Sequence, residues 1–137
     1  MKIAALIARY LLGIMFFVFG LNGFLHFLKQ PPPTGLALTY FTAMSGSHIM
    51  DIVYLIQLIG GILLLAGRFV PIALVLLGPV IANILLYHLT MDPKGIPPGL
   101  VALILWGIVF YSVRSAFAGV FAARVDAEPV SVSRVNA

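Results

Sequence analysis

Between Ile49 and Thr90 the chain reads IMDIVYLIQLIGGILLLAGRFVPIALVLLGPVIANILLYHLT, with Asp51 and Arg68 as its charged side chains. The apolar runs on either side of Gly67-Arg68 are each long enough to cross about 30 Å of hydrocarbon at about 1.5 Å per residue. In lipid every backbone N–H and C=O must find its partner within the segment, so runs of this length are helices. Gly67 suits a left-handed helix cap, and Pro71 suits the first turn of the helix that follows. The stretch therefore predicts a tight antiparallel transmembrane hairpin, Ile49–Ala66 and Phe69–Thr90.

Two further apolar runs lie outside the hairpin, at about Ile3–Leu28 and Leu100–Phe121. The first follows Met1-Lys2 like the start of a signal peptide. It is too long for that, and no small-residue cleavage site ends it, so an uncleaved first helix is expected. The link MDPKGIPPG (Met91–Gly99) is dense in turn formers and short. The earlier link is longer: QPPPTG (Gln30–Gly35) breaks the helix, and LALTYFTAM (Leu36–Met44) is apolar again but too short to span. An interfacial helix or a re-entrant segment is expected there, covering the mouth of the bundle. Ser47 is the expected N-cap of the second helix, with Asp51 in its first turn. The fold expected is an all-α membrane protein, an up-and-down bundle of four transmembrane helices with a short outer-side interfacial segment. The bundle takes residues 1–125, and a polar tail, 126–137, is expected to be disordered and cytoplasmic.

Composition agrees. The chain is 62% hydrophobic and 9% charged, against about a quarter charged in soluble domains, so its solvent is the lipid bilayer. The net charge of +4 does not indicate nucleic acid, because the basic residues stand singly at the ends of apolar runs and form no stripe. Their distribution instead predicts orientation. Lys2, Arg9, Arg68, Arg114, Arg124 and Arg134 fall on one side and Lys29 and Lys94 on the other, which places both termini in the cytoplasm. Arg9 and Arg114 are expected to snorkel to the inner interface. The absence of cysteine excludes thiol–disulfide chemistry by the chain and thiolate-held metal.

Polar side chains within hydrocarbon are costly and ask for a partner or a role. The candidates are Asn22 and His26 on the first helix, Gln57 on the second, and Asn83, Tyr87 and His88 on the third. Asn22, Gln57 and Asn83 each lie about 10–12 Å from the outer ends of their helices, at one level, with His26, Tyr87 and His88 nearer the surface. Asn22 and His26 are stacked at i, i+4, as are Asn83 and Tyr87. Two readings stand for this set: hydrogen bonds that join helices, or the polar wall of a small-molecule pocket. The histidines are far apart and share no face with a carboxylate, so no metal site is expected.

GLNGFLHF (Gly20–Phe27), IQLIGGILLL (Ile56–Leu65), GRFVPIAL (Gly67–Leu74) and LGPVIANILLYH (Leu77–His88) together resemble the DoxX/DoxD-like membrane family. The resemblance covers about Arg9 to Arg124 and implies a four-helix bundle in the bacterial inner membrane. Some relatives are small subunits of thiosulfate:quinone oxidoreductases, so it favours quinone-linked redox chemistry without naming a reaction or a catalytic residue.

Two functions follow as expectations. The first is a membrane subunit binding a quinone or similar lipophile, with Asn22, His26, Gln57 and Tyr87 as donors and Phe16, Phe19 and Tyr54 as apolar walls. The chain has no redox group of its own, so an electron donor arrives with a partner or substrate. The second is a non-catalytic accessory subunit of a larger respiratory or photosynthetic complex, with His26 or His88 ligating a haem or chlorophyll. Either reading calls for a membrane protein partner or a homo-oligomer. A transporter fits less well, for want of an internal repeat or an intramembrane carboxylate.

Overall fold

The computed structural model describes residues 2–128, and every regular element among them is helical. Helix α1 covers Lys2–Leu25, α2 Gly35–Gly46, α3 Ile49–Ala66, α4 Val70–Thr90 and α5 Ile96–Ser112, with 3-10 segments at Pro93–Gly95 and Arg114–Phe121. Four stretches, Lys2–Leu25, Ile49–Ala66, Val70–Thr90 and Pro93–Ser112, are long and apolar enough to cross a membrane. They form an up-and-down bundle: α1 packs on α3 and α5, and α4 closes the ring between those two. One end of the bundle, the terminal end, holds both ends of the described chain; the distal end carries α2.

The α3–α4 hairpin forms as the sequence predicts. Gly67 sits at φ 66°, ψ 26°, in the left-handed region that a β-carbon disfavours. Its N–H donates to Leu64 O and that of Arg68 to Leu63 O, each at 3.2 Å, the paired closure of a Schellman cap. Pro71 lies in the first turn of α4.

In lipid, apolar burial alone does little to hold helices together, and close packing through small residues matters more. The tightest approach is between α1 and α3. A β-carbon on Gly61 would lie 2.5 Å from the Phe17 nitrogen, and one on Gly20 would lie 2.6 Å from the Leu58 nitrogen. Beside this seam the interior is filled by Leu12, Phe16, Leu64, Leu74, Leu77, Ile81 and Val109. On the opposite wall, Trp106 of α5 donates its indole N–H to Leu74 O at 3.0 Å. The helix α4 continues unbroken through Pro79; this proline lacks the N–H that would reach Val75 O.

Several boundaries differ from the sequence reading. The first helix ends at Leu25, not Leu28, because the Asn22 side chain accepts a hydrogen bond from the Leu28 N–H at 2.7 Å. A short polar side chain of this kind competes with the helical ladder. His26 accordingly leaves the helix at φ 51°. The expected cap Ser47 instead donates to Met44 O at 3.2 Å, closing α2, and His48 is the N-cap of α3 at φ 62°. The last span begins at Ile96 rather than Leu100, because Pro97 and Pro98 occupy a first turn whose N–H groups have no helical partner. It ends at Ser112, where the Ser112 hydroxyl donates to Val109 O at 2.6 Å, and the chain continues as 3-10 turns to Phe121. Of the expected tail, residues 126–128 follow without regular structure, while 129–137, with Arg134, lie outside the described residues.

Candidate functional site

Helix α2 positions a cluster that the sequence reading only half contained. It packs beside α3 and buries Ala37 alone, so it makes a clamp on one flank rather than a sealed lid. From α2, Tyr40 and Phe41 reach across to Tyr87 of α4, with ring centroids 5.3 Å and 5.2 Å away. Tyr40 and Phe41 are themselves edge to face at 5.7 Å, a favourable aromatic geometry. Below them Asn83 donates from Nδ2 to the Tyr40 hydroxyl at 3.0 Å. The Tyr40 hydroxyl accepts this bond and keeps its own proton free to donate. Asn83 lies about 10 Å from the distal end of α4, at the exposed edge of the bundle, where an amide and a phenol satisfy each other against lipid.

His88 completes one wall. Its ring packs against Tyr87 at 4.9 Å and against Gly95, where a β-carbon would collide with it. Its Nδ1 lies 3.1 Å from Asp92 O and 3.7 Å from the Asp92 carboxylate. These contacts tie His88 into the turn between α4 and α5.

The six residues singled out from the sequence do not form one constellation. Asn83, Tyr87 and His88 come together with Tyr40 and Phe41. Asn22 is engaged locally with the Leu28 N–H. His26 is exposed beyond the end of α1. Gln57 faces the bundle interior, 6% exposed, and makes none of the hydrogen bonds that join one helix to another among the described residues. No hydrogen bond or ring contact links Asn22, His26 or Gln57 to the cluster. Tyr54, an expected wall, instead covers Gly23 and meets Phe24 edge-on at 6.2 Å.

The sequence reading missed Tyr40, Phe41 and Asp92. The i, i+4 spacing of His88 and Asp92 was a usable signal; the pairing of Tyr40 with Asn83, 43 positions apart, left none.

At the terminal end Arg9 does more than snorkel. Its Nη1 donates to Leu64 O at 2.5 Å, where the carbonyl end of α3 favours a cation. Arg114 turns back onto its own helix end, donating to Tyr111 O at 2.7 Å with its guanidinium 4.0 Å above the Tyr111 ring, a cation–π contact.

Comparisons with protein-family models, with curated proteins and with solved structures each returned no match.

Proposed function

We propose that the chain is a DoxX/DoxD-like subunit of a bacterial inner membrane, with both termini in the cytoplasm, that binds a flat lipophilic molecule of quinone type. The site is the distal flank between α2 and α4. The observation that carries this reading is the Asn83–Tyr40 bond beneath the rings of Phe41 and Tyr87. A quinone needs a flat apolar contact for its ring and a donor for each carbonyl, reached from within the bilayer. The free Tyr40 proton and the second Asn83 N–H are such donors, and the exposed edge at Asn83 opens to the acyl chains where a quinone dissolves. An electron donor belongs to a partner protein or to the substrate.

The test is extraction of the lipophiles that accompany the protein through mild-detergent purification from its native membrane. A stoichiometric quinone in the wild type, reduced severalfold in Tyr40→Phe and Asn83→Leu with the bundle still folded, supports the proposal. A wild type free of any lipophile, or unchanged occupancy in both variants, overturns it. Stoichiometric partner proteins without bound lipophile establish the accessory-subunit reading instead.

A further inference from the structure

The terminal end carries a second feature unconnected with the distal rings. Two adjoining grooves flank the first turns of α1, about 480 Å³ and about 350 Å³ in volume. Both are lined by Lys2, Ala5 and Ser112; the larger adds Arg114 and the α5 face at Ile104 and Gly107, and the smaller adds Arg9. The walls are otherwise apolar, and no acidic side chain lines either groove.

Three cations thus line the two adjoining grooves, Lys2 in both, Arg114 in the larger and Arg9 in the smaller, with no carboxylate in either lining. Among the described residues, the carboxylates that approach a basic group are Asp51 and Asp92, both paired with histidines at the distal end. Arg9 and Arg114 spend one donor each on backbone carbonyls, which leaves most of their five N–H groups free, and neither has a carboxylate partner among the described residues. Basic recesses between membrane helices are suited to anionic headgroups, with about 1 kcal/mol from each cation near the surface. The groove floor is open as well as basic: a β-carbon added at Gly107 would meet nothing within 4 Å.

We propose that these adjoining grooves together select a phospholipid of net negative charge from the bilayer. Its phosphate lies among Lys2, Arg9 and Arg114, and an acyl chain lies along the α1–α5 wall past Gly107. Charge complementarity sets the choice of headgroup, and the apolar wall sets the preference for a lipid over a free anion.

The experiment is native mass spectrometry of the full-length detergent-solubilised protein with dioleoylphosphatidylglycerol or dioleoylphosphatidylcholine. Phosphatidylglycerol is expected to remain bound at concentrations where phosphatidylcholine does not. Each basic residue neutralised, as in Lys2→Gln or Arg114→Gln, should weaken it about fivefold while leaving phosphatidylcholine unaffected. Gly107→Phe fills the groove without touching a charge and should displace the lipid from a folded bundle. Equal binding of the two lipids by the wild type overturns the proposal. So does selectivity that survives both Arg114→Gln and Gly107→Phe, or full displacement by inorganic phosphate, which would mark a site for a soluble anion.

Discussion

Gly20 of α1 touches the backbone of Leu58 on α3: a β-carbon there would lie 2.6 Å from the Leu58 nitrogen and 2.9 Å from Tyr54 O. Neither neighbour is a flexible side-chain tip, so the contact cannot relax by a rotamer change. Gly20→Val should force the two helices apart and cost about 1–3 kcal/mol, the range for overpacking. Gly46→Ala, where a β-carbon meets open space, is the control and should be neutral. Thermal unfolding of both variants in one detergent checks the pair. Equal melting temperatures would mean that the α1–α3 seam is not the tight joint of the bundle.

Arg9 provides a second test, because it ties α1 to the end of α3. Arg9→Met removes the bond to Leu64 O, but the Gly67 N–H still reaches that carbonyl at 3.2 Å. The loss should therefore fall near about 1 kcal/mol, below the usual range for a charge-assisted bond. Arg9→Lys keeps a cation at the helix end but lacks the planar fork, and should recover only part of the loss. Full recovery by lysine would show that charge alone matters. Melting temperatures of the two variants decide it.

Gln57 makes the opposite prediction. Among the described residues it is the one buried polar side chain, 6% exposed, and it makes none of the hydrogen bonds that join one helix to another. A polar side chain that joins no second helix is costly in the membrane interior, so an apolar one of similar shape is neutral or stabilising there. Gln57→Leu should leave the melting temperature unchanged or raise it. A clear fall would reveal that a water or a bound molecule holds the amide in the membrane.

Orientation can be read with reporter fusions. Fusions after Arg68 and at the C-terminus should report cytoplasm, and fusions near Pro32 or Lys94 the opposite side. A C-terminus found outside would invert the proposed topology.

The parts of the fold that the sequence made legible are those with local causes. The Gly67–Pro71 hairpin follows from a left-handed cap and an N-terminal proline, and the limits of α3 agree with the reading at both ends. The end of α1 was hidden because the Asn22 side chain, normally a sign of polar contact between helices, captures a backbone N–H six residues ahead. The start of α5 was hidden because Pro97 and Pro98 read as helix breakers, although in a first turn they lack nothing the helix needs. The candidate site divided along the same line. Asn83 and Tyr87 were visible as a stacked pair on one face. Their ring partners belong to α2, and its docking on α3 and α4 is set by tertiary contacts that no periodicity records.

The unequal lengths of the helices have a consequence for the surrounding lipid. Arg9 sits level with the Gly67 turn, so the first two turns of α1 extend past the end of the α3–α4 hairpin with Ile3, Leu6 and Ile7 outward-facing and exposed. An 18-residue helix such as α3 rises about 27 Å, and the 24 residues of α1 about 36 Å. The hydrocarbon core is about 30 Å thick, so α3 is shorter than it, the 21 residues of α4 match it at about 32 Å, and α1 is longer. The bilayer accommodates such mismatch by thinning, thickening or helix tilt. Because α1 and α3 are packed neighbours, the step from the shortest span to the longest falls between adjacent helices, and lipid beside this pair is expected to meet thinning at α3 and thickening at α1.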